Sequence, residues 1–168
     1  MAEGISSERS FDLAFIEAIG VNERDLPHVL EPIDASSHAF HFAPPSSGAI
    51  ANASHLVFDV LLESDAGVSL VLGFRRTGDT DNTLHARLGL LPGVPTRIAF
   101  PLHALDGQTL FLHRTPLRLK GTVQGHRLSP DEVDRVVLSI ATPRPGVRLR
   151  LLAPPRLTSS EPAVPPLD

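Results

Sequence analysis

The sequence predicts an all-β domain, an antiparallel sandwich of two sheets of the jelly-roll type. Sixteen prolines and twelve glycines interrupt the 168 residues at short intervals, which leaves little room for long helices. Between these interruptions apolar residues recur mainly at every second position, which is the period of a half-buried strand. The chain has no cysteine, so packing has to hold the fold together without disulfides or thiolate metal ligands.

Length and composition are those of one globular domain. A chain of 168 residues is long enough for one sizeable core, and 42% apolar against 20% charged residues excludes wholesale disorder. The formal net charge of -4 gives no long-range attraction to phosphates, so we expect neither nucleic acid nor a membrane surface as partner. No stretch has the composition of a signal peptide or approaches the roughly 20 apolar residues of a membrane span. The sequence therefore predicts a soluble chain and leaves its compartment and oligomeric state open.

Residues 1–45 are predicted to form an N-terminal segment with a short helix and one strand. The strand is indicated by the alternation of residues 39–42. The helix is indicated by apolar residues spaced as one helix face, with Ser10 as a cap and Gly20 as a stop. Its apolar face would consist of Phe11, Ala14, Phe15, Ala18 and Ile19.

Residues 46–153 are predicted to form the sandwich itself. In the runs 55–62 and 68–76, alternation places Phe58 and Phe74 on the inward faces of two strands. The polar turn 63–67 between them predicts that these strands form a hairpin or lie side by side. Further apolar runs bring the total to roughly eight to ten strands, enough for two packed sheets. These runs are 84–90, 96–102, 110–113, 117–122, 136–141 and 147–152.

The C-terminal part contains one sharp local signal and one proline-rich stretch. Ser129, Pro130 and Glu132 form a capping-box pattern, which predicts a single helical turn at residues 129–133. Residues 154–168 include five prolines and are predicted to be a linker or a C-terminal extension.

The eight histidines do not have the spacing of a metal site. His38 and His41 are three residues apart, which on a strand places them on opposite faces. We therefore expect scattered histidines and no metal centre. Whether the fold brings others together stays open, namely His85, His103, His113 and His126.

The polar loop 76–83 holds the best candidates for a hard cation. Asp79, Asp81 and Asn82 could give oxygens to calcium, but the spacing of an EF-hand is absent and a solvated turn is the favoured interpretation. No cofactor is expected, and a structural calcium ion stays an open alternative.

No catalytic set is recognisable in the sequence. Asp59, Glu63 and Asp65 could in principle supply the carboxylate pair of a glycoside hydrolase. Nothing near them in sequence would separate their pKa values, so solvated carboxylates are favoured. The motifs of the nucleophile elbow, the phosphate-binding loop and the dinucleotide fold are missing too. We expect that this chain is not itself an enzyme.

A ligand site, if there is one, is expected around the basic stretch 113–127. Arg114, Arg118, Gln124 and His126 can donate hydrogen bonds to sugar hydroxyls or to a carboxylate. The alternative is a charged strand edge that blocks unwanted strand pairing. Trp and Tyr, whose rings stack on sugars, do not occur, so binding of a glycan is expected to be weak.

A long stretch resembles a known family. The run LGLLPGVPTRIAFPLHALDGQTLFLHRTPLRLKGTVQGHRLSPDEVDRVVLSI, followed by LRLLAPPRLTSSEP, is similar to the non-catalytic N-terminal jelly-roll domain of large glycoside hydrolases such as β-agarase-like enzymes. The resemblance covers residues 54–168. The residues in matching places are packing and capping residues: Gly125, Leu128, Pro130, Glu132, Val133 and Val136.

The resemblance implies a galactose-binding-like accessory domain of a polysaccharide-active enzyme. Such a domain would bind glycan weakly or pack against a covalently linked catalytic domain, and no catalytic residue is carried over. The stretch 162–168 is similar to the connector that leads into the catalytic domain of those enzymes. A protein-interaction or assembly domain without sugar binding is the alternative.

Overall fold

A computed structural model describes residues 10–24, 26–33, 38–45, 49–106, 111–112, 121–142 and 146–159. Within these residues the chain is mainly β-structure, with two 3-10 turns at Leu102–Asp106 and Pro130–Glu132. The strands form two antiparallel sheets, which confirms the prediction of an all-β sandwich. In chain order the strands are β1 (Ser10–Asp12), β2 (Ala14–Ile19), β3 (Val29–Leu30), β4 (Ala39–Ala43), β5 (His55–Glu63), β6 (Val68–Arg76), β7 (Leu84–Leu90), β8 (Thr96–Pro101), β9 (Phe111–Leu112), β10 (Gly121–Gly125), β11 (Val133–Ile140), β12 (Arg148–Leu151) and β13 (Arg156–Thr158).

The first sheet is built around β5. On one side β5 pairs with β8, and on the other side it pairs with β12 and β13, which follow each other along its length. The short segment 152–155 separates these two strands, and the Leu152 N–H donates to the Asp59 carbonyl oxygen at 2.7 Å. Beyond them, β3 pairs with β12 and β1 pairs with β13. The C-terminal strands therefore complete the sheet that β5 begins.

The second sheet has the order β2-β4-β11-β6-β7-β10-β9, and its strand pairs are antiparallel. Its two central strands, β6 and β11, pair over seven residues from Val133 to Ile140 with one register shift. This sheet is wide, and most of its strands alternate between an apolar inner face and a polar outer face. The candidate site lies on this outer face.

The core lies between the two sheets and contains the predicted aromatic residues. Phe58 and Phe74 are 1% and 0% exposed, which confirms their inward orientation. Phe74 of the second sheet meets Phe100 of the first, with ring centroids 5.2 Å apart. Such cross-sheet ring contacts fix the distance between the sheets, because a buried ring touches neighbours on both sides.

The prediction that β5 and β6 pair with each other is wrong. They follow each other in sequence, but β5 belongs to the first sheet, and β6 pairs with β7 and β11 in the second. The turn after Glu63 therefore crosses from one sheet to the other. The period-two pattern of each strand identified its buried face but not its neighbours, which depend on long-range pairing.

The prediction of an N-terminal helix is also wrong, because residues 10–19 form β1 and β2. The register of β2 against β4 shifts between Phe15 and Glu17, so that one extra residue is inserted. Phe15 and Ala18 both pack on the core across this shift, although they are three residues apart. Three-residue spacing is typical of a helix face, and here a bulge in a strand produces it.

The segment boundaries at residues 45 and 154 do not separate structural units. Strands β1 to β4 from the N-terminal segment belong to the two sheets. Strand β13 lies inside the stretch predicted to be a linker, and its Leu157 is fully buried. The sandwich therefore extends to Thr158 at least, and residues 160–168 lie outside the described residues. The proline-rich composition did not indicate β13, because the first prolines of the stretch lie next to this short strand and not within it.

The predicted turn at residues 129–133 is confirmed as a 3-10 turn over Pro130–Glu132. The Ser129 N–H donates to Glu132 Oε1 at 3.0 Å, and the Glu132 N–H donates to the Ser129 carbonyl oxygen at 2.9 Å. The turn leads directly into β11. Of the residues that the structure describes, none belongs to a helix long and apolar enough to cross a membrane.

Candidate functional site

The outer surface of the second sheet carries polar side chains on both sides of Val137 and Gly73. A row of paired residues crosses it from β2 to β10, and because side chains alternate along strands, the row lies on one face. The row runs through Glu17, His41, Val137, Gly73, His85 and Gln124. Arg75, Arg87 and Arg135 are on the same face at neighbouring positions. We call the set Glu17, His41, Arg75, His85, Arg87, Gln124 and Arg135 the polar face.

His41 is the most buried polar residue of this face, with 4% of its surface exposed. Its Nδ1 lies 3.3 Å from Arg135 Nη1, and Arg135 also lies 3.6 Å from Glu17 Oε2. Burial lowers the pKa of His41, the charges of Arg75 and Arg135 lower it further, and Glu17 opposes them. Because a guanidinium can only donate, Nδ1 accepts and the hydrogen of the neutral ring is on Nε2. His41 is therefore a neutral imidazole at pH 7.

Gly73 makes room for a loop on the middle of the face. A Cβ at this position would lie 2.3 Å from side-chain atoms of Asn82, so the Asn82 amide covers the glycine backbone. Arg75 Nε donates to Asn82 Oδ1 at 3.2 Å, which ties the guanidinium to the loop. The loop 76–83 thus positions Arg75, and it does so only because Gly73 has no side chain.

The calcium candidates of this loop already have protein partners. The Thr83 hydroxyl donates to Asp79 Oδ2, which also lies 3.6 Å from Arg76 Nε, and Asn82 Oδ1 accepts from Arg75. Asp81 is exposed. Asn82 and Asp79 therefore hold the loop as a turn through contacts with Arg75, Thr83 and Arg76.

The other end of the face combines neutral and charged donors. His85 is paired with Gln124 on the neighbouring strand, and Gln124 is exposed. Burial lowers the pKa of His85, and the nearby charge of Arg87 lowers it further. Arg87 is exposed and is paired with Val71 on one side and Thr122 on the other. A neutral imidazole, an amide and a guanidinium are therefore presented together to solvent.

The outer face of the first sheet is also charged, and its arginines have carboxylate partners. Asp59, 5% exposed, accepts from Arg97 Nε at 2.7 Å and from Arg156 Nη1 at 3.2 Å. Burial opposes ionisation of Asp59, but the hydrogen bonds and charges of Arg97 and Arg156 outweigh it and lower the pKa. Glu63 is bridged to Arg150 at 3.2 Å, and to Arg148 as well. Each of these four arginines therefore lies at ion-pair distance from an acid.

Two of the four residues predicted to bind a ligand belong to the described part of the structure. Gln124 is on the polar face beside His85, and His126 is exposed just beyond β10, where its N–H donates to the Thr83 carbonyl oxygen at 2.9 Å. Arg114 and Arg118 lie outside the described residues. Arg75, Arg87 and Arg135 were not among the residues predicted from the sequence, although Arg75 and Arg87 continue the alternation with buried apolar residues along their strands. That alternation was the available signal.

The histidines that the structure describes do not gather into one group. His38 is buried, and its Nε2 accepts the Ile140 N–H at 2.9 Å, so it anchors the end of β11. His103 is exposed on the first 3-10 turn, and His113 lies outside the described residues. Over the described ranges, no three His, Cys, Asp or Glu side chains are placed to hold a metal ion.

One serine lies against a histidine at the start of β5. Ser54 Oγ is 2.8 Å from His55 Nδ1 and 3.3 Å from the Thr158 carbonyl oxygen. The hydroxyl has one hydrogen, which it can donate to either acceptor.

An apolar cleft opens beside β1 and β13. Its volume is about 430 Å³, and Phe11, which is 52% exposed, forms part of its wall. Exposed apolar residues are also found on the edge strand β2, at Ile16 and Ile19. The cleft is lined by Phe11, Pro45, Ala49, Asn52, Ala53, Leu157, Thr158 and Ser159.

Comparison of the chain with family models, with curated proteins and with solved structures finds no match in any of the three. The function therefore has to be argued from the two sheets and their surfaces.

Proposed function

We propose that this domain is a non-catalytic, carbohydrate-binding-like accessory module of a polysaccharide-active enzyme, and that its two sheets are joined as a jelly roll. It holds glycan weakly on the polar face. The observation that carries the proposal is the outward set of guanidinium, neutral imidazole and amide groups on one broad sheet, centred on His85, Arg87 and Gln124. These groups complement the mixed donors and acceptors of sugar hydroxyls. His126, exposed just beyond β10, stays in the proposal as a candidate binding residue, as do Arg114 and Arg118, which lie outside the described residues.

The carboxylates support a binding role over a hydrolytic one. A glycoside hydrolase needs one carboxylic acid whose pKa is raised, so that it can protonate the leaving group. The pKa of Asp59 is lowered instead, and Glu63 is bridged to two arginines. Asp59 is therefore held as a carboxylate by Arg97 and Arg156.

Binding should be weak for a physical reason. Each hydrogen bond between a sugar hydroxyl and a side chain replaces one to water, so it contributes only about 0.5 to 1.5 kcal/mol. The chain has no Trp or Tyr that would add apolar stacking to those bonds. We expect a Kd on the order of millimolar, equivalent to about 4 kcal/mol.

Titration with neutral galactan oligosaccharides, followed by backbone-amide NMR shifts of the full chain, tests this proposal. Saturable shifts should fall on β7 and β10, and Gln124→Ala and His85→Ala should each weaken binding several-fold. The matched control is His103→Ala, because His103 is exposed away from this sheet on the first 3-10 turn. Shifts confined to other strands, or binding unchanged in both variants, would place the site elsewhere.

The cleft beside Phe11 favours a second candidate, a docking role without sugar binding. A half-exposed phenylalanine in a largely apolar cleft is typical of a surface that packs against protein. In that case the module would buttress a linked catalytic domain or bind an assembly partner. A chain that binds no oligosaccharide at high concentration would favour this candidate.

A further inference from the structure

We infer that the glycan held by the polar face carries carboxylate groups, and that Arg75 and Arg87 recognise them. The ligand class is thus a polysaccharide that contains uronic acid. This inference rests on the proposed function and adds to it the chemical identity of the sugar.

The first observation is that two arginines of the polar face have no carboxylate partner among the described residues, whereas those of the first sheet do. On the first sheet Arg97 and Arg156 contact Asp59, and Arg148 and Arg150 contact Glu63. On the polar face, within the described ranges, no carboxylate lies at ion-pair distance from Arg75 or Arg87. The polar face therefore carries positive charge that the described part of the protein does not neutralise.

The second observation is that like charges are placed next to each other. Arg75 and Arg135 are directly paired on neighbouring strands, an arrangement that is destabilising when nothing lies between the charges. Glu17 reaches Arg135 only at 3.6 Å. Both arginines act on the pKa of His41 in the same direction, which shows that their fields overlap there. An anion above this point would relieve the repulsion.

The shape of the donors favours a carboxylate. The Nε of Arg75 is bound to Asn82, so the guanidinium is held in place and its two Nη groups remain to donate. A planar guanidinium matches the two coplanar oxygens of a carboxylate with two parallel hydrogen bonds. Asn82 and Gly73 thus act as positioning residues for this contact.

The spacing of the donors favours a chain of sugars over a small anion. Arg87 is paired with Val71, four residues before Arg75 on the same strand, so the two arginine Cα atoms are roughly 14 Å apart. His85 and Gln124 occupy the row between them and offer neutral groups to hydroxyls. Charged donors at both ends of a neutral stretch suit a glycan with separated carboxylates.

The overall charge of -4 does not oppose this inference, because the acids are distributed unevenly. Among the described acids, Asp59 and Glu63 each contact two arginines of the first sheet, Asp65 and Asp131 are exposed in turns, and Asp79, in the loop beside the polar face, lies 3.6 Å from Arg76. Contacts over a few ångströms depend on the local charges, since more distant ones are screened by salt. The expectation from composition thus applies to long-range attraction and not to this face.

The test compares three tetrasaccharides by calorimetry on the full chain, at low and at physiological salt. They are a galacturonate oligomer, a neutral galactose oligomer and a sulfated galactose oligomer. We expect the galacturonate oligomer to bind at least tenfold more tightly than the neutral one, and its advantage to shrink as salt is added. Arg87→Ala should remove most of this advantage without changing the melting temperature, since Arg87 is exposed. The matched control is Arg24→Ala, which removes the same charge from an exposed turn between β2 and β3 and should leave it intact.

Each other result has a definite meaning. Equal or tighter binding of the neutral oligomer would overturn the carboxylate assignment and leave the proposed function standing. Tighter binding of the sulfated oligomer would overturn it in favour of a tetrahedral anion. An equal loss in Arg24→Ala would reduce the preference to general electrostatic attraction. Failure of all three oligomers to bind would refute the proposed function itself.

Discussion

Truncation of Phe74 to alanine tests the central feature of the fold, the contact between the two sheets. Phe74 is fully buried, and its ring is 5.2 Å from that of Phe100 in the facing sheet. Removal of a buried phenylalanine costs about 3 to 5 kcal/mol, and about 0.5 to 1.5 kcal/mol of an aromatic pair comes on top of area burial. We therefore expect a loss of about 4 kcal/mol in the free energy of unfolding, and a fall in Tm of roughly 8 to 16 °C for a chain of this size.

Urea unfolding followed by far-UV circular dichroism is the suitable assay, because the chain has no Trp or Tyr for fluorescence. Phe11→Ala is the matched control: the same atoms are removed from a side chain that is 52% exposed, so the loss should stay below about 1 kcal/mol. A double variant with Phe100→Ala should show a coupling energy near 1 kcal/mol. Equal losses at Phe74 and Phe11, or no coupling with Phe100, would refute the assignment of the core between the sheets.

Three further predictions follow from the polar contacts. Asp59→Asn should lower the free energy of unfolding by about 3 kcal/mol in urea titrations. This value is near the low end of the cost of breaking a buried ion pair, because Arg97 and Arg156 still reach solvent. A loss under 1 kcal/mol would contradict a stabilising network. Glu132→Ala should cost about 0.5 to 1 kcal/mol by removing half of the capping box, whereas Glu132→Gln should largely preserve it, and equal losses would count against the hydrogen bond to Ser129. The free energy of unfolding should fall as the pH drops below about 6.5, because unfolded His41 takes up a proton there while the folded ring, with its lowered pKa, stays neutral. In melting curves recorded between pH 7.5 and 5, Tm should depend less on pH for His41→Gln. An unchanged dependence of Tm on pH would show that His41 does not contribute.

The acid range separates this histidine effect from that of Asp59. The pKa of Asp59 is lowered in the folded state, so its contribution is present above the unfolded pKa near 4 and is lost only as the pH falls further. Burial lowers the pKa values of His41 and His85, so both contribute to the change in stability between pH 5 and 7.5.

Local patterns in the sequence were enough to predict those features of the fold that depend on a residue and its near neighbours in the chain. The period-two runs identified β5, β6 and the inward Phe58 and Phe74. The turn at Pro130–Glu132 was predictable because its cap, proline and glutamate act within a few residues of one another. In contrast, the bulge in β2 gave helix-like spacing to residues 10–19, because local spacing alone does not distinguish a bulged strand from a helix face.

The candidate site shows the same division. Gln124 was predicted from a cluster of polar residues in one stretch, but its neighbours His85 and Arg87 come from another strand nearly 40 residues earlier. Glu17, His41 and Gly73 are joined to them by strand pairing across the second sheet. Gly73 itself has no visible role in the sequence, and only the approach of Asn82 explains it.

By itself, then, the sequence determined an all-β chain, the inward faces of its main strands and the 3-10 turn, because each of these follows from alternation or from contacts within a few residues. Tertiary structure decided which strands are neighbours, and through them which charges meet. Strand register is set by pairing between distant segments, and one shift in register exchanges the two faces of a strand. That is why the arginines that contact Asp59 look like Arg75 and Arg87 along the chain, although Arg75 and Arg87 have no carboxylate partner among the described residues.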